Sequence, residues 1–113
     1  MKCLIIEDDI QLLNILRVQL EDRGITSDLF ASMEDLISSG KHQFLDQYNF
    51  ILADYNLPGE KGTKIIEIRD QLNIKTVIVV ITGEPFVEGL SISENVFTIQ
   101  KPFILDEILD GLS

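Results

Sequence analysis

Thr76-Val77-Ile78-Val79-Val80-Ile81 is the stretch on which the fold turns. Every residue in it is β-branched and none is charged, so it reads as a strand. Polar residues do not alternate with apolar ones, which means that both faces of the strand are buried. That is the habit of a central strand in a parallel sheet with helices on either side. Working outward, Asn49 to Asp54 reads as a third strand with Asp54 at its carboxyl end, and Lys2 to Glu7 as a first strand running into acids. Ile25 to Phe30 gives a weaker second strand, and Asn95 to Gln100 a fifth.

Helical patterns separate these strands. Ile10 to Arg23 is closed by Gly24, and on a helical wheel Leu12, Leu13, Ile15, Leu16 and Leu20 share one arc, with Ile10 and Val18 outside it. Ser32 can cap a helix beginning Met33-Glu34-Asp35, with acids in the first turn where the helix dipole favours them. That helix breaks around Ser38-Ser39-Gly40 and resumes towards Gln47. Asn56 to Gly62 carries loop punctuation, and Thr63 to Leu72 has helical spacing at Ile65, Ile66, Ile68 and Leu72. Pro85 to Ser91 allows a short helix. After a Lys101-Pro102 turn, Phe103 to Leu112 forms the last helix, with Ile104, Leu105, Ile108 and Leu109 facing inward. Strands alternating with helices imply right-handed crossovers: an α/β protein with a doubly wound five-stranded parallel sheet and helices on both faces.

The bulk numbers agree with a single domain over residues 1–113. Hydrophobic residues make up 45% and charged residues 25%, an ordinary folded balance. The formal net charge is −10, from 19 acidic and 9 basic side chains, which disfavours direct contact with nucleic acid or an anionic membrane. No apolar run approaches the ~20 residues of a membrane span, and no signal-peptide pattern opens the chain. Cys3 is the one cysteine and lies in an apolar run, so it reads as a small buried thiol in a reducing, cytoplasmic setting.

In a sheet of this kind the site lies at the carboxyl ends of the strands. Those ends carry Glu7, Asp8 and Asp9 after the first strand, Asp54 after the third, Thr82 after the fourth and Lys101 after the fifth. Two unit charges ~4 Å apart repel by about 4 kcal/mol at an effective dielectric near 20. Several carboxylates in one cleft therefore call for a hard divalent cation, and oxygen ligands suit Mg²⁺. With the cation and Lys101 in place the cleft suits a phosphoryl group, its oxygens held by metal, Lys101 and the groups around Thr82. Asp54 is then the nucleophile, since carboxylates form aspartyl phosphates.

The segments IIEDD, ILADYNLPGEKG, VVITG and IQKPF together resemble the four signature segments of response-regulator receiver domains, in family order and over essentially the whole chain. The resemblance implies a flavodoxin-like strand order 2-1-3-4-5 and a signalling switch or relay. A sensor histidine kinase or a histidine phosphotransfer protein would be the phosphoryl donor. It matches Asp54 to the phosphoacceptor, Glu7 and Asp8 to the acidic pair at the metal, Thr82 to the hydroxyl at the phosphoryl group and Lys101 to the family lysine. Asn56 matches the residue whose backbone carbonyl completes the metal shell. Pro102 matches a proline after a cis peptide, and Gly83 keeps the approach open. Asp9 is expected beside the metal pair rather than in it, and His42 reads as a solvated loop residue.

Two departures concern the output face. Thr98 stands where the family usually has Tyr or Phe, with Phe97 one place off and so on the opposite face of its strand. The stretch between Thr82 and Lys101 is short. These features lean towards relay or hybrid use, whereas the Met1-Lys2 start leans towards a free regulator or a regulator's N-terminal domain. The alternative, a Mg²⁺-dependent phosphotransferase or phosphohydrolase on a similar sheet, would need a general acid/base or a substrate insert that this chain lacks. A flavin carrier would meet Glu7-Asp8-Asp9 where its phosphate loop should be.

Overall fold

The structure, a computed structural model, describes residues 1–83 and 94–112. Five strands run in the order β2-β1-β3-β4-β5, all parallel. They are β1 (Lys2–Ile6), β2 (Thr26–Phe30), β3 (Phe50–Asp54), β4 (Val77–Thr82) and β5 (Val96–Gln100). The helices are α1 (Ile10–Glu21), α2 (Met33–Ser39), α3 (Lys64–Gln71) and α4 (Leu105–Leu112), with 3₁₀ turns at Lys41–Gln43 and Leu45–Gln47. The helical stretch expected at Pro85 to Ser91 lies outside the described residues.

Strand pleating divides the core in two. Leu4, Ile6, Ile51, Ala53, Ile78 and Val80 face α2 and α3, where they meet Met33, Leu36 and Ile65. Cys3, Ile5, Phe50, Leu52, Val79 and Ile81 face α1 and α4, against Leu16, Leu20 and Ile108. After their first residue, consecutive positions of β1 and β4 are buried, as is all of β3, which is why the β-branched run from Thr76 shows no alternation. The Cys3 thiol lies in this interior, and burial pushes its pKa well above the usual thiol range.

Helix starts follow the sequence closely. Asp9 caps α1, its Oδ1 accepting the Gln11 and Leu12 amides at 3.0 and 3.2 Å. Ser32 caps α2 by accepting the Asp35 amide at 3.0 Å. Side-chain direction was harder to read. Ile15 is 52% exposed although the helical wheel puts it in the inward arc of α1, because the buried stripe is the narrower one of Leu13, Leu16 and Leu20. Ile104 is 62% exposed, since α4 starts after it and the helical period does not govern its direction. Leu72, at the end of α3, is also partly exposed. His42 is half-buried rather than solvated, and its Nδ1 has no hydrogen-bond partner among the described residues. Arg69 is fully buried, donating to the Thr76 carbonyl at 3.0 Å and to Asp70, and so ties α3 to the start of β4.

One close approach sets the loop after β3. A Cβ on Gly62 would overlap the carbonyl oxygen of Asp54, so the returning backbone packs directly on the end of the strand. Nothing lies within contact distance of a Cβ at Gly111 in α4. Gly62→Ala should therefore lower stability by about 2 kcal/mol or more through overpacking, while Gly111→Ala should be neutral or slightly stabilising. Urea denaturation of both variants checks this, and similar midpoints for the two would contradict the packing argument.

Candidate functional site

Parallel pairing brings the carboxyl ends of β1, β3, β4 and β5 to one edge of the sheet. Asp54 is the last residue of β3 and is 4% exposed. Its Oδ1 accepts the Asn56 amide at 3.2 Å, and its Oδ2 lies 3.4 Å from the Lys101 ammonium. Glu7 follows β1, held there because its amide extends the ladder to Phe30, and is 1% exposed. Glu7 Oε1 accepts the Asp9 amide at 3.1 Å. Glu7 Oε2 is 3.7 Å from Lys101 Nζ and has no hydrogen-bond partner among the described residues.

Asp8 is exposed at the mouth of the cleft, and one carboxylate oxygen from each of Glu7, Asp8 and Asp54 lies within 4.8 Å of the others. Lys101 reaches the cleft from the end of β5, where its amide donates to the Thr82 carbonyl at 2.7 Å and the Lys101-Pro102 peptide is cis. Thr82 is buried at the end of β4. The six residues singled out from sequence are thus at adjoining strand ends: Glu7, Asp8, Asp54 and Lys101 converge, Thr82 sits beside Lys101, and Asn56 donates its amide to Asp54. Asp9 is spent on capping α1, as a neighbour of the pair rather than a member. Gly83 is exposed.

Three carboxylates face one ammonium, so the cleft carries excess negative charge. Burial is the main cause that raises the Glu7 pKa to about 7, with the Asp54 charge adding to it and the Asp9 amide and Lys101 opposing. An orphaned buried carboxylate oxygen, oxygen-only donors and surplus negative charge fit a hard divalent cation. A separate cavity of about 450 Å³ opens at the opposite edge, lined by Met1, Ile25, Phe50, Val77, Leu109 and Leu112. Its lining is mostly apolar but includes Arg23 and Asn49, and none of the cleft residues borders it.

The same frame recurs in known proteins. The sequence profile of the response regulator receiver domain matches residues 3–113. The chain belongs to that family. Among curated relatives, the cell cycle response regulator CtrA of Brucella ovis is 31% identical over 96% of this chain. This chain spans 47% of the length of that relative. A CheY-like receiver domain protein from Methanospirillum hungatei shares the fold with a TM-score of 0.80 at 24% identity, over 98% of this chain and 92% of that one. A receiver domain protein from Bacillus halodurans does so with a TM-score of 0.83 at 14% identity, over 99% and 93%. Membership of this family disfavours the reading of a metal-dependent phosphohydrolase on a similar sheet.

Sequence reading missed one contact of the loop after β3. Glu34, assigned only to the dipole of α2, accepts the Glu60 amide in the loop after β3 at 3.1 Å. No local pattern could announce a pairing across 26 positions. The raised Glu7 pKa has its own consequence. The folded state holds the Glu7 proton more tightly than the unfolded chain, so this contribution is complete below pH 4.5 and is lost as pH rises through about 7. In metal-free buffer Glu7→Gln should match wild type near pH 4 and become more stable by on the order of 3 kcal/mol above pH 7. Chemical denaturation at stepped pH reads the difference, and a gap that does not change with pH would refute the assignment.

Proposed function

We propose that Asp54 is the phosphoacceptor of this receiver domain and that residues 1–113 form one signalling unit. Its donor would be a phosphohistidine on a sensor histidine kinase or a histidine phosphotransfer protein. The observation that carries this reading is the buried Asp54 carboxylate at the end of the middle strand, with the Lys101 ammonium at 3.4 Å and two further carboxylates beside it. An Asp54 oxygen forms the bond to phosphorus as the phosphorus–nitrogen bond breaks, and the donor's imidazole leaves neutral because its other ring nitrogen carries a proton. Lys101 neutralises charge on the transferred group, and the Thr82 hydroxyl contacts one of its oxygens. The exposed Ile10, Ile15 and Val18 of α1 offer apolar surface to the donor protein.

Mg²⁺ is the cation we assign to Glu7, Asp8, Asp54 and the backbone carbonyl of Asn56. When bound it supplies charge neutralisation of the carboxylates and of the phosphoryl oxygens. The domain's own chemistry is then limited to its phosphorylation and dephosphorylation; it turns over no other substrate. With a net charge of −10 it contacts no nucleic acid or membrane directly. No helix among the described residues is long and apolar enough to cross a membrane, and we place the domain in the cytoplasm.

Acetyl phosphate with Mg²⁺ should add one phosphoryl group to the protein, and Asp54→Asn should abolish it. Intact mass with peptide mapping reads this out, and full labelling of Asp54→Asn would sink the assignment. A second expectation concerns Asp8. Asp8→Asn should raise the melting temperature of the metal-free protein by relieving carboxylate repulsion, and should shrink the Mg²⁺-induced rise. Equal Mg²⁺-induced shifts in variant and wild type would remove Asp8 from the metal set.

A further inference from the structure

The loop between β3 and α3 runs past the acceptor and is fixed at both ends. Leu57 is buried in the core at its start, and Gly62 packs on the Asp54 carbonyl at its close. The Gly62 amide also donates to the Tyr55 carbonyl at 3.3 Å. Between those anchors the chain turns outward through Pro58, Gly59 and Glu60, all exposed. There it meets α2, an element on the same face of the sheet but distant in sequence. The Glu60 amide donates to Glu34 Oε1 at 3.1 Å.

Gly59 shows how close this approach is. Its φ is +75°, and a Cβ there would stand 2.7 Å from Glu34 Oε1 and 3.3 Å from its carboxyl carbon. Bare backbone is therefore presented to the carboxylate at a position where a side chain would push it away. The Glu34 pKa is lowered by the Glu60 amide first, then by its own amide and the Ser32 hydroxyl, as expected for an ionised acceptor.

We propose that Glu34 is a positioning residue for the receiver site: by holding the Glu60 amide it presets the loop backbone that carries Asn56 beside Asp54. The inference rests on the reading that the Asn56 carbonyl and Asp54 share a cation. A loop already held in its bound course loses less conformational freedom when the cation binds, so the tether raises affinity without touching the ion. Glu34 also lies in the first turn of α2, where any acid complements the helix dipole. The two roles separate cleanly. Glutamine keeps an oxygen that accepts the Glu60 amide but loses the charge, whereas alanine loses both.

The test compares wild type, Glu34→Gln and Glu34→Ala in the full chain. Three quantities are read: amide exchange at Glu60, the Mg²⁺ concentration giving half of the thermal shift, and labelling by acetyl phosphate. In Glu34→Ala, Glu60 exchange should quicken and the Mg²⁺ midpoint should rise, each by about three- to tenfold, the worth of one modest hydrogen bond. Labelling at saturating Mg²⁺ should stay within about twofold of wild type, because the groups that face the phosphoryl oxygens are intact. Glu34→Gln should keep the wild-type midpoint and the slow Glu60 exchange while sharing the lower melting temperature of Glu34→Ala.

A midpoint that moves equally in both variants would overturn the proposal in favour of the dipole. An unmoved midpoint in Glu34→Ala would overturn it too, whether or not Glu60 exchange changes. A wild type that Mg²⁺ does not stabilise would bring down both this proposal and the metal assignment. A wild type that binds Mg²⁺ but resists acetyl phosphate would count against Asp54 alone, with the midpoints still deciding the part of Glu34.

Discussion

Carboxylate repulsion at the carboxyl edge of the sheet is the constraint around which this molecule is arranged. The all-parallel order β2-β1-β3-β4-β5 makes every strand end on the same edge. Helices cover both faces, so the interior strands admit no charge along their length. On the central strands β3 and β4 no charge appears before the last residue, and Glu7, Asp54 and Lys101 gather at the carboxyl edge. A fold that buries its strands so completely therefore concentrates its polar chemistry in one place.

The concentration has an energetic cost. Glu7 is almost wholly buried, one of its oxygens lacks a hydrogen-bond partner among the described residues, and its pKa rises to about 7. Lys101 offsets part of the repulsion, standing 3.4 Å from Asp54 and 3.7 Å from Glu7. Nothing in packing calls for a buried glutamate here, since Ile6, just before it, is an ordinary core residue. Strain of this kind, kept by a sequence that is otherwise locally consistent, marks a site selected for what it binds.

Legibility in the sequence followed the strength of the local signal. The central strands β1, β3 and β4 are legible because burial on both faces leaves nearly unbroken apolar runs, and the caps at Asp9 and Ser32 are legible because capping is a matter of neighbours. The site residues were readable jointly, since each lies at a strand end that the pattern had already located. What resisted were properties set by distant parts of the chain. Ile15 and Ile104 are as apolar as any core residue, and only the way α1 and α4 lie on the sheet leaves them exposed. Arg69 looks like a surface arginine until the Thr76 carbonyl appears beside it. The tie between Glu34 and Glu60 belongs to the same class.

The departure at Thr98 gains meaning from the geometry. Thr98 pairs with Val80 and Phe97 with Val79, so the two side chains lie on opposite faces of β5, and both are exposed. Phe97 is on the face of α4, beside Ile108 and Leu112, and no rotation of its ring carries it through the sheet to the side of Thr98. An aromatic switch at the usual place is therefore closed to this chain. On the proposed reading, transfer of a phosphoryl group replaces the single charge of Asp54 by nearly two. A change of about one charge unit in so crowded a cleft must be felt by whatever backbone frames it. Two segments do so. Lys101 continues β5 and donates its amide to the Thr82 carbonyl of β4, and the loop after Asp54 links the cleft to α2 through Glu34. With no ring to relay the first, the second joins the acceptor to the start of α2, much as Glu7 and Asp9 join the cleft to the start of α1.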